Sequence, residues 1–71
     1  MGYTKLERLR KLYQHGDILE LVHMEDAYGV RSGTRGVVDF VDDAGNVHMK
    51  WENGSTLSFI PEIDQCKKIT Q

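Results

Sequence analysis

The residues of this chain that could do chemistry by type are His15, His23, His48, Cys66, Ser32, Ser55 and Ser58. A structural zinc site takes four ligands, usually in paired Cys/His spacings; none of these residues falls in such a pair. Nucleophilic catalysis needs a nucleophile, a base within reach and a group that orients the base, and none of the serines, nor Cys66, sits in a motif that supplies them. The paired acids Asp42-Asp43 have the chemistry of a turn, and Asp17, Glu25 and Asp26 read as solvated strand ends. Gly29, Gly33 and Gly36 do not form a phosphate cradle, because no helix start follows them. The sequence therefore predicts no catalytic residue, no metal and no cofactor, and points to binding.

Binding needs exposed side chains held by a scaffold. Trp51 is an interface residue by type, but it alternates with Val47 and Met49 on one face of a strand, which places it in the core. Tyr28 lies in the long segment Glu25–Thr34, where no period demands burial; it either packs back on the domain or faces a partner. If it faces out, Glu25, Asp26, Tyr28, Arg31 and Arg35 line one rim of mixed charge. A second candidate surface is the helix carrying Lys5, Arg8, Arg10 and Lys11.

The elements that position these residues follow from pattern. Thr4 and Glu7 fit a capping box. Leu6, Leu9, Leu12 and Tyr13 recur at helical spacing, and Gly16 is expected to close the helix as the residue after its C-cap. An isolated helix of this length is marginal, so its Leu stripe must bury against the rest of the chain or against a partner. Strands are expected at Ile18–Met24, about Arg35–Asp42, Val47 onward, a fourth ending at Ile60-Pro61, and Cys66–Ile69. In the first, Ile18, Leu19, Leu21 and Val22 break strict alternation, which a helix covering one side would explain. A four-residue turn Asp42–Gly45 would set Val47 opposite Phe40 and Met49 opposite Val38, with Phe40 inward and Asp39 in water. For the next hairpin, a two-residue Asn53-Gly54 turn would mix apolar and polar residues on each face. A three-residue loop Glu52-Asn53-Gly54, with Gly54 left-handed, instead pairs Met49 with Leu57 and Val47 with Phe59. A single turn is expected at Glu62–Gln65.

Seventy-one residues form one small domain. Five short strands, one long first loop, two tight hairpins and a one-turn break describe a mostly β chain: a small five-stranded SH3-like barrel with one N-terminal α-helix. The division is a helix over 1–15 and a barrel over 16–71. Residues 1–16 carry four Lys/Arg against one Glu, a net of +3, while residues 17–71 carry five against ten acids, a net of −5. Phosphate recognition runs on clustered cations, so the acidic body disfavours nucleic acid and leaves the helix as the element that could bind it. The single cysteine excludes an intrachain disulfide, and no apolar run approaches the roughly 20 residues of a membrane helix. With no signal-peptide pattern at the N-terminus, a cytoplasmic protein without a membrane partner is expected.

Gly16-Asp17-Ile18-Leu19-Glu20-Leu21-Val22-His23-Met24, Gly33-Thr34-Arg35-Gly36-Val37-Val38, His48-Met49-Lys50-Trp51-Glu52-Asn53-Gly54-Ser55 and Ile60-Pro61 resemble a family of short bacterial and phage proteins, domain of unknown function 4314. The resemblance spans about residues 16–70 and leaves the basic helix outside. It implies a mobile-element accessory protein and carries over no catalytic residue. SH3-like barrels commonly bind peptides between the long first loop and its neighbours, which adds weight to the Tyr28 rim. The expectation is a non-enzymatic protein-binding module, acting on a host factor. The alternatives are nucleic-acid binding through the helix and a homodimer through the Leu6, Leu9, Leu12, Tyr13 stripe.

Overall fold

The computed structural model describes residues 4–24 and 29–69. One helix, α1 (Lys5–Leu12), precedes four strands: β1 (Ile18–His23), β2 (Arg35–Val41), β3 (Val47–Trp51) and β4 (Gln65–Lys68). All neighbours are antiparallel and the order is β3-β2-β1-β4, an unclosed sheet among the described residues. The chain is thus mostly β. No helix among the described residues is long and apolar enough to cross a membrane.

Thr4 caps α1 by accepting from the Glu7 amide at 3.2 Å, and its hydroxyl donates to the Glu7 carboxylate at 3.0 Å. Glu7 thus braces the capping hydroxyl. The helix is shorter than the sequence suggests, and Gly16 is not its closing residue. Tyr13 caps it, donating its amide to the Leu9 carbonyl. The Asp17 carboxylate then takes the Gln14 amide at 2.9 Å, and the chain turns into β1 through Gly16 at φ 90°.

Leu6, Leu9 and Tyr13 pack on the buried cluster Leu19, Leu21, Val30, Val38, Val41, Val47, Met49, Trp51 and Phe59. Tyr13 meets Phe59 edge to face, with ring centroids 5.3 Å apart. Leu12 remains half exposed. The stripe is therefore largely spent within the chain.

Two hairpins organise the middle of the fold. In the first, Asp42 and Asn46 close a three-residue loop with Gly45 at φ 87°. The Asp42 carboxylate takes the amides of Ala44 and Asn46. This corrects the expected four-residue turn. Val47 lies opposite Val41, and His48 opposite Phe40; a bulge at Asp39 then restores Val38 opposite Met49. The extra residue turns Val41 into the core and Phe40 out, where its ring stacks on His48 at 4.2 Å.

The second hairpin has the expected three-residue loop, with Gly54 at φ 89° and Trp51 donating its amide to Ser55. Val47 pairs with Phe59 as expected. Between those points the fourth strand does not form. The Trp51 indole N–H donates to the Leu57 carbonyl at 2.7 Å and the Leu57 amide donates to the Ser55 hydroxyl. Both ladder groups of Leu57 are thereby used, and beyond the loop the segment pairs with β3 through the isolated Val47–Phe59 bridge. After Pro61 a single turn returns the Asp64 carboxylate to the Ile60 amide, and β4 pairs with β1. The lysines Lys67 and Lys68 blunt its free edge.

Candidate functional site

The helix cations are mostly committed. Lys5 pairs with Glu62. Arg10 reaches the Asp43 carboxylate at 2.8 Å and the Val41 carbonyl at 3.4 Å, pinning α1 to the first hairpin turn. Lys11 also has a partner, and Arg8 is exposed with no side-chain partner among the described residues. The helix, the turn and Ile60–Glu62 enclose a groove of about 280 Å³ that includes Leu6, Leu9, Ile60 and Pro61, with the Lys5–Glu62 pair at its rim.

Of the rim predicted in the long loop, Glu25, Asp26 and Tyr28 lie outside the described residues. Its far limb is well held. Val30 is buried in the core. The Ser32 hydroxyl donates to the Val22 carbonyl at 2.8 Å, the Gly33 amide to Leu21 at 2.7 Å, and Thr34 accepts the Leu21 amide. Gly33 adopts φ 89°, so the turn Arg31–Thr34 closes through the Thr34 amide on the Arg31 carbonyl. Arg31 is thus exposed on an anchored turn, with no side-chain partner among the described residues. Arg35 is placed differently. Its guanidinium donates to Glu20 at 3.2 Å, and its amide donates to the Glu52 carboxylate. Arg35, with Lys67 on the other side, holds the Glu20 carboxyl below the usual range.

These contacts lie on the sheet face turned away from the helix, which the sequence reading did not single out. Ile18, Val37 and Lys50 line a shallow groove of about 300 Å³ there, with Arg35, Gly36 and Glu52. Gly36 is required: a Cβ would sit 2.7 Å from a ring carbon of Trp51. The signal for this face was the broken alternation of β1. Ile18 and Val22 are apolar on the side α1 does not cover, so the helix does not explain them.

The family profile described as domain of unknown function (DUF4314) matches residues 3–69. The chain belongs to this family. The match includes α1, which the sequence reading had placed outside it; that agrees with Leu6 and Leu9 packing on the core. Comparison with the curated proteins and with the solved structures found no match.

Several of the reactive side chains of this DUF4314 chain have structural duties. Burial pushes the Cys66 thiol up to about 12, with the Asp64 charge adding to it, so the nucleophilic thiolate is suppressed. His48 bonds the Asp42 carboxylate at 2.8 Å; this contact, with the Asn46 and Ala44 amides, lowers the Asp42 carboxyl. His15, beyond the helix end, bonds the Asp39 carbonyl. Ser55 caps the Leu57 amide, and Ser32 holds the loop. Among the described residues no three His, Cys, Asp or Glu side chains gather as a metal site would require.

Proposed function

We propose that this DUF4314 chain is a non-enzymatic protein-binding module that presents Arg31 to an acidic surface of its partner. The supporting observation is the contrast between cations. Lys5, Arg10 and Arg35 are neutralised within the chain, whereas Arg31 stands without a partner among the described residues, on a turn tied to β1 by three hydrogen bonds. Arginine on a pre-organised support is a favoured anchor of protein interfaces. Two helix cations locked in ion pairs leave too little free positive charge for a phosphate backbone, so a protein partner is preferred to nucleic acid.

The finer architecture we propose is the five-stranded SH3-like barrel. The Val47–Phe59 bridge supports it, since it places a fifth segment along the free edge of β3. The resemblance to phage and mobile-element proteins supports an accessory role in the cytoplasm, exerted on a host factor.

Affinity capture from host lysate, with the parent chain and Arg31→Glu side by side, tests the function. Arg31→Glu is expected to reduce recovery of the partner at least about tenfold, while Arg8→Glu leaves it unchanged. Equal recovery by the parent and Arg31→Glu removes the loop from the proposal. Steeply salt-dependent DNA binding lost in Arg8→Glu would replace it with the nucleic-acid reading.

A further inference from the structure

Beside the Phe40–His48 stack, the sheet face away from α1 carries two rows of side chains in register. The first runs from Glu52, just past the end of β3, through Arg35 on β2 and Glu20 on β1 to Lys67 on β4. Its charges alternate: the Arg35 guanidinium meets Glu20 at 3.2 Å, Lys67 meets Glu20 at 3.3 Å, and the Glu52 carboxylate accepts from the Arg35 backbone amide. The second row is Lys50, Val37, Ile18, Ile69, with Val37 opposite Ile18 and the Ile69 amide on the Ile18 carbonyl. Val37 is 41% exposed although it lies mid-strand between bonded neighbours. No described helix or strand packs across this face.

We infer that this face docks against the same face of a second copy of the chain, about a two-fold axis parallel to the strands and between β1 and β2. That operation exchanges the columns of the sheet. Glu52 then faces Lys67 of the other copy, Arg35 faces Glu20, and Val37 faces Ile18. Every charge in the row meets its opposite, and the apolar centre meets itself, as an isologous contact requires. Face-to-face sheets pack with their strands roughly aligned, about 30° apart, which this axis provides.

A partner of uniform charge fits poorly, because an alternating row repels it at as many points as it attracts it. The stem of Lys50 lies over Ile69 of the other copy and keeps its ammonium in water. Burial of Ile18 and Val37 drives association, and the charge row sets register and excludes other pairings. The sheet is four strands wide, so the contact is small and the dimer concentration-dependent. Arg31 belongs to neither row, so this inference stands apart from the proposed function.

Sedimentation equilibrium of the full chain, from low to high micromolar, tests it. The parent is expected to show a monomer–dimer equilibrium. Arg35→Glu sets Glu against Glu across the axis, and Glu20→Arg sets Arg against Arg; each is expected to raise the dissociation constant at least about tenfold. An equimolar mixture of the two variants restores both cross-axis pairs and is expected to return to dimer. Circular dichroism of each variant establishes that it is folded. A parent that is monomeric throughout overturns the inference. So does dimerisation undiminished in the single variants, or a mixture of folded variants that stays monomeric.

Discussion

The two faces of one sheet are built on opposite terms. The inner face holds Leu19, Leu21, Val38, Met49 and Trp51, and is covered by α1 and by the segment around Phe59. Its polar groups are few and each has a fixed duty, such as the Trp51 indole on the Leu57 carbonyl. Among the described residues the outer face has no such cover. It alternates charge with small apolar patches, and its ion pairs are partly solvated. The inner face therefore carries the stability, by burial, while the outer face is free to vary its interactions at little cost to folding.

Substitutions should separate the two. Phe59→Ala removes a ring that is 1% exposed and props Tyr13; a loss of about 3–5 kcal/mol is expected in urea unfolding, most of what a domain this small possesses. Gly36→Ala reaches through the sheet from its backbone. The added Cβ meets Trp51 at 2.7 Å and the Lys50 carbonyl at 3.1 Å, so a loss of about 1–3 kcal/mol and a changed Trp fluorescence are expected. A loss no larger than that of an exposed site would break the claim that the inner face is tightly closed.

Acid should act on the sheet's perimeter and outer side. Hydrogen bonds from the Gln14 amide, Arg35 and His48 chiefly lower the carboxyls of Asp17, Glu20 and Asp42 respectively. Groups lowered by folding stabilise the protein above their unfolded values and lose that contribution as pH falls through their folded values. Urea midpoints should hold from neutral pH to about 5 and fall below about 4, with a shallower fall in Asp42→Asn. A flat acid profile would remove these pairs as contributors. The smallest effect belongs to Val37→Ala, which should change monomer stability by no more than about 0.5 kcal/mol. A larger loss would show that the outer face is part of the core after all.

Much of the scaffold is legible along the chain. Thr4 and Glu7 announce the helix start, clean alternation at Val47, Met49 and Trp51 announces β3, and the Asn53-Gly54 loop follows from refusing to mix faces. The misreadings cluster where one side chain competes for a backbone group. Asp42 tightens the turn and Asp39 bulges, so Phe40 leaves the core. Asp17 ends the helix early. Trp51 takes the carbonyl that a fourth strand would have used. Of the rim expected in the loop, Arg31 lies exposed on its anchored turn, while the engagement of Arg35 by Glu20 depends on strand order and is not legible along the chain.

Sequence alone determined the mostly β character, the helix start, the second hairpin's loop and the inward face of β3, because periodicity and turn chemistry are local. Tertiary structure alone decided which cations are neutralised, where Phe40 points and that the outer face carries an alternating row. Those depend on which strands become neighbours, and pairing across the sheet joins Lys67, Glu20, Arg35 and Glu52 from four distant points of the chain.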